Sequence, residues 1–157
     1  MTDEAGTADG QHAAGNGAAE AEDLKGIAVM RDFIAASPLV RHLGIETVSL
    51  APDVAELRLP FAEEVVTVGD VVHGGAISAL VDTAATAASW CTAEIPDSLR
   101  GTTVGLTVDF LAAARGSDLV AHARVVRRGS TLCFCDVEVH DADQRLVAKA
   151  LVTYKLG

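Results

Sequence analysis

The sequence predicts an α+β domain in which an antiparallel sheet is wrapped around one long apolar helix. Three observations carry that prediction. From Gly75 to about residue 93 no Gly or Pro interrupts an alanine-rich run holding Ile77, Leu80, Val81 and Trp90, so the segment is helical and apolar almost all round. After it, residues 102–111, 119–127, 131–140 and 145–156 alternate apolar and polar side chains at the two-residue period of strands. Before it, residues 43–50 and 54–59 alternate likewise around Ala51-Pro52-Asp53, which reads as a turn and makes the pair a hairpin.

The elements follow in chain order. The chain has 157 residues, half of them apolar, enough for one domain with a core. Residues 1–23 are Ala, Gly and acids with no Lys or Arg and no large apolar side chain after Met1, so they predict a disordered acidic tail ahead of a domain spanning 24–157. The net charge is −10, and because six acids stand in that tail the body is only mildly acidic. Such a balance argues against a nucleic-acid surface. From Leu24, Ile27, Val29, Met30, Phe33 and Ile34 recur at helical spacing until Ser37-Pro38 stops the run. Residues 93–101 read as a loop. In the strand beginning at Thr102, Val104, Leu106, Val108 and Phe110 share one face, with Thr103, Gly105, Thr107 and Asp109 on the other. No stretch is long and apolar enough to cross a bilayer and no basic, apolar-cored leader precedes the domain, so a cytoplasmic protein is expected. Two open sheet edges also predict association with further copies.

The central helix carries one misplaced acid. Between Val71 and Ala93 the ionisable side chains, Cys91 aside, are His73 and Asp82, and an unpaired carboxylate in apolar surroundings is costly. A hydrogen bond from Thr83 or Thr86, or exposure of that one helix face, would explain it blandly. The turn that precedes it suggests chemistry instead. Gly74 and Gly75 stand where the first helical N–H groups lack intrahelical acceptors, and such donors can hold a thioester carbonyl and the oxyanion that develops on attack. From Gly75 to Asp82 is roughly 10 Å of helix rise. One carbonyl carbon cannot meet both, which predicts a site shared between two copies of the chain.

The run Val72-His73-Gly74-Gly75, with Asp82 nine residues after the histidine in Leu80-Val81-Asp82-Thr83-Ala84, resembles the signature of hotdog-fold acyl-CoA thioesterases of the phenylacetate-pathway (PaaI-like) type, over residues 38–156. The resemblance implies a hotdog fold, dimers that pair sheets edge to edge, and often a tetramer of two dimers. It implies that Asp82 is the nucleophile or the general base that activates water, that the Gly74 N–H polarises the carbonyl, and that His73 mainly shapes the turn. Thr103 best matches the family's hydroxyl beside the acid. Where relatives carry Asn or Gln six residues before the histidine, this chain has Thr67, whose shorter side chain spans less distance. That departure keeps a non-catalytic acyl-CoA binding protein as the alternative. The basic turn Arg127-Arg128-Gly129-Ser130 parallels where relatives hold the coenzyme A nucleotide, and Lys149 is a second candidate for phosphate contact. Neither a metal nor a redox cofactor is implied: Cys91, Cys133 and Cys135 lack zinc-site spacing, and no dinucleotide loop joins a strand to a helix.

Overall fold

The computed structural model describes residues 25–93 and 95–157; the expected acidic tail lies outside them. Helix α1 (Lys25–Ala36) buries Gly26, Ile27, Met30 and Ile34, the stripe its sequence spacing predicts. Ser37-Pro38 ends α1 but also starts a short second helix, α2 (Pro38–Leu43), which the sequence reading did not contain. Proline suits a first helical position because the N–H it lacks has no partner there, and Gly44 at φ 68° closes the helix.

Strands β1 (Glu46–Ala51) and β2 (Val54–Leu59) form the expected hairpin, with Asp53 in the left-handed region at its turn. A single helical turn at Glu63–Val65 and two short strands, β3 (Val66–Val68) and β4 (Val71–Val72), lead into the central helix α3 (Gly74–Trp90). Strands β5 (Gly101–Phe110), β6 (Leu119–Arg128), β7 (Leu132–Asp141) and β8 (Leu146–Leu156) complete the domain. The main sheet runs β1-β2-β6-β7-β8-β5, with every pair antiparallel. Helix α3 lies in its concave face against β2, β6, β7 and β8, and α1 packs on α3 and β1.

Small side chains make that embrace close. Leu80, Val81, Ala84, Ala85, Ala87 and Ala88 of α3 are fully buried against Leu57, Ala121, Val137, Val139 and Ala148 of the sheet. Alanine on both surfaces lets backbone layers approach at interior packing density. The helix ends at Trp90, three residues short of the expected limit. The Cys91 carbonyl accepts the Asp53 N–H at 2.9 Å and the Thr92 carbonyl accepts the Gly26 N–H at 3.3 Å, so partners outside the helix take the groups that would have continued it.

Strand β5 is a sheet edge, with no strand on its outer side among the described residues. Its expected faces need a correction. The register shifts between Thr103 and Gly105, so Val104 bulges out at 54% exposure. That extra residue turns Thr103 and Val108 to the same concave side, where alternation alone placed them on opposite sides. Thr103 pairs with the buried Tyr154 and Val108 with the buried Ala150.

Candidate active site

Asp82 is half-buried at the middle of α3. Its Oδ1 accepts a hydrogen bond from Thr103 Oγ1 at 2.5 Å, and its Oδ2 has no hydrogen-bond partner among the described residues. Neither helix threonine holds the acid, since Thr83 donates to the Ala79 carbonyl at 2.7 Å and Thr86 makes no hydrogen bond to the carboxylate. A hydroxyl reaching across from the β5 bulge holds the acid in place and leaves one oxygen for other work. Asp82 lines a cavity of about 260 Å³ between α1, α2, α3 and the start of β5.

At the start of α3 the two glycines have different roles. His73 is the N-cap, and its Nδ1 accepts the Gly75 N–H at 2.7 Å. The Gly75 donor is therefore occupied, which corrects its expected part as a carbonyl contact. A Cβ at Gly75 would stand 2.9 Å from that ring nitrogen, so glycine is there to let the cap form. The Gly74 N–H has no acceptor among the described residues. Gly74 lines a second depression together with Thr67, Val71, Phe110, Leu111 and Ala112, and the Phe110 ring stands 3.2 Å from where a Gly74 Cβ would be. Thr67 is exposed on β3 at the rim of that depression, with a hydroxyl that makes no hydrogen bond among the described residues. The two depressions share no lining residue. Gly74 and Asp82 stand eight positions apart, about 12 Å along the helix.

The expected phosphate cluster comes together in part: Arg128, Gly129 and Ser130 share one cleft, while Arg127 and Lys149 lie outside it. Adjacent on a strand, the two arginines face opposite sides, and a bulge between Val125 and Arg127 makes Arg128 rather than Arg127 the inward one. Arg128 points inward, bonding Asp53 Oδ1 through both Nε (3.0 Å) and Nη2, and the Ser89 carbonyl at 2.9 Å. It braces the β1–β2 turn against the end of α3, a structural task that occupies its fork. Arg127 stays exposed beside Phe134 on the convex face. The Gly129 N–H is bound to the Leu132 carbonyl at 2.7 Å, and Arg128, Gly129 and Ser130 line an open cleft with Thr92, Ile95, Pro96 and Leu156. Lys149 sits on the convex face roughly 17 Å down the strands from that turn. There it is held by Glu138 at 2.7 Å and Asp136 at 3.3 Å. Arg128 and Lys149 thus already hold carboxylate partners within the chain.

The sequence reading missed Tyr154 and Trp90. Trp90 Nε1 donates to the Tyr154 hydroxyl at 3.1 Å inside the core, and Tyr154 forms part of the cavity beside Asp82. Burial pushes the Tyr154 phenol above its ordinary value, and the charge of Asp82 adds to that rise. The signal lay in Tyr154 being the chain's single tyrosine, on an inward position of a strand whose other inward residues are aliphatic.

Among the described residues no group of acids, histidines or cysteines has a metal-holding arrangement, and no helix is long and apolar enough to cross a membrane. Burial pushes the Cys91 thiol up to about 12 and raises Cys133 and Cys135 as well.

A central helix gripped by a curled antiparallel sheet, with a braced acid midway and a bare amide at its start, defines the hotdog class of acyl-group hydrolases. Residues 69–148 match the family described as Thioesterase superfamily, and the chain belongs to that family. It is 31% identical over 140 residues to the medium/long-chain acyl-CoA thioesterase YigI of Salmonella typhimurium, covering 80% of this chain and 89% of that one. It is also 31% identical over 132 residues to human acyl-coenzyme A thioesterase 13, covering 82% and 92%. Among solved structures, a thioesterase family protein from Silicibacter pomeroyi superposes with a TM-score of 0.75 at 26% identity, over 82% of this chain and 96% of that one. The Escherichia coli PaaI protein of the phenylacetic acid degradation operon shares the fold at a TM-score of 0.74 and 23% identity, over 85% and 94%. The chain is a thioester hydrolase.

Proposed function

We propose that this protein hydrolyses an acyl-CoA thioester to the free acid and coenzyme A at a site that two copies build together. Asp82 of one chain and the Gly74 N–H of its partner face the same thioester. The observation that carries this reading is the separation of the two half-sites: each is formed and each lacks its counterpart within reach on its own chain. The apolar edge strand β5, with Val104, Leu106 and Phe110 exposed, supports edge-to-edge pairing with a second copy, and a pair of such dimers makes the tetramer. The relatives' acyl-CoA substrates support coenzyme A as the carrier. Three unpaired cysteines are in keeping with a reducing cytoplasm.

In the reaction the thioester oxygen lies on the Gly74 N–H, at the positive end of α3, where charge develops in the transition state. Asp82, steadied by Thr103, either attacks the carbonyl carbon or takes a proton from the attacking water. The thiolate of coenzyme A then leaves and is protonated; where Asp82 attacked, water hydrolyses the resulting acyl anhydride to the free acid and restores the carboxylate. His73 holds the turn so that the Gly74 amide stays unpaired, and Thr67 offers a hydroxyl at the rim to the carbonyl or the water. Arg127 and Ser130 are the remaining members of the basic turn that can meet phosphate.

Release of free thiol from short, long and aryl acyl-CoA substrates tests the reading. Hydrolysis by the wild type, abolished in Asp82→Asn and Asp82→Ala, is the expected result; saturable binding without thiol release would identify a binding protein instead.

A further inference from the structure

Tyr154 is only 6% exposed, yet its hydrogen-bonding capacity is half used. An indole N–H can only donate, so the Tyr154 oxygen is the acceptor in its bond with Trp90 and its own hydrogen must go elsewhere. No described residue accepts it. Asp82, Thr86 and Trp90 follow one another at four-residue steps along one face of α3, and helical aromatic side chains point back toward the helix start. The hydroxyl that Trp90 binds is thus set back from Trp90 toward Thr86, in the cavity that Asp82, Thr86 and Tyr154 line together. Gly101 makes room for it, because a Cβ there would collide with the phenol oxygen. The same cavity has an apolar opposite wall of Phe33, Ile34, Leu39 and Val40 from α1 and α2.

We infer that Tyr154 is a specificity-determining residue: its hydroxyl donates a hydrogen bond to an oxygen carried by the acyl group, about one helical turn (~5–6 Å) beyond the thioester carbonyl. This rests on the thioester-hydrolase role of Asp82. A plain hydrocarbon in the cavity leaves the phenol hydrogen buried and unpaired, whereas an acyl group with a carbonyl or ether oxygen at that depth satisfies it. With its raised pKa the phenol stays protonated at neutral pH and can only act this way.

The probes are hexanoyl-CoA and 5-oxohexanoyl-CoA, which differ by one oxygen placed about one helical turn (~5–6 Å) from the thioester carbonyl. Thiol release should give the wild type a kcat/KM ratio of about tenfold in favour of the 5-oxo compound, and Tyr154→Phe should bring that ratio close to one. A wild-type ratio of one, or a ratio that survives in Tyr154→Phe, overturns the inference. Calorimetric Kd values for the same two thioesters on Asp82→Asn read the pocket apart from the chemistry. If the wild type releases thiol from neither probe nor from any of the short, long and aryl substrates, the role of Asp82 fails, and the Kd ratio still decides the role of Tyr154.

Discussion

The two ends of the site on α3 are built on opposite logics. At the helix start the chemistry belongs to the backbone: what matters is that the Gly74 amide is left without an acceptor, and His73 secures that by capping Gly75 instead. At mid-helix the chemistry belongs to a side chain, and Asp82 needs an outside hydroxyl, Thr103, to hold it in place. The first half depends on local sequence alone, whereas the second depends on a strand 21 positions away and on one bulge in it. One helix can offer both groups yet cannot bring them to the same atom, which is why the proposed site takes its second half from another copy.

Substitutions separate the two halves. Asp82→Ala or Asp82→Asn should lower turnover by about a thousandfold or more while the melting temperature holds, because the carboxylate is half-buried and its loss opens no core cavity. Thiol release and a thermal melt on the same samples check this. Gly74→Pro removes the amide hydrogen while suiting the first helical position, where His73 already has an extended backbone at φ −67° and ψ 134°. Loss of one such donor should cost about a hundredfold to a thousandfold in kcat. Thr103→Val, which unmakes a hydrogen bond to a charged group of about 1.5–3 kcal/mol, should cost about tenfold to a hundredfold. In Arg128→Ala the readout is stability instead, with about 2 kcal/mol lost in denaturant unfolding as the Asp53 and Ser89 bonds go. The same substitution at Arg127 should raise KM for coenzyme A thioesters and leave unfolding unchanged.

The smallest expected effect concerns acid stability. Hydrogen bonding to Asp141, first from the Arg145 backbone N–H, holds that carboxyl below the ordinary carboxylate range. A depressed folded pKa stabilises the fold fully above the unfolded value near 3.9 and loses that contribution as pH falls through the folded value. Unfolding measured below about pH 4 should therefore steepen in the wild type and flatten in Asp141→Asn.

Much of this was legible in the sequence. The period of α3, the two-residue alternation of the strands and the oddity of one acid in an alanine helix are local patterns; they point to the fold and single out Asp82 and the Gly74 turn as candidates. What escaped needed tertiary contacts. The β5 bulge decides that Thr103 and Val108 face the same way, and alternation alone assigns them to opposite faces. The second bulge reverses which of Arg127 and Arg128 points inward, so Arg128 reaches Asp53 while Arg127 stays outside. Tyr154 is revealed only by the Trp90 indole that fixes its oxygen.

The sharing of one site between two chains is tested most directly by mixing the two inactive variants. Asp82→Asn and Gly74→Pro, unfolded and refolded together in equal amounts, should form mixed dimers with one intact site and one doubly broken site, recovering about a quarter of wild-type activity overall. If Asp82 and Gly74 acted on the same chain, every site would carry a defect, and the mixture would show no more thiol release than the two variants measured apart.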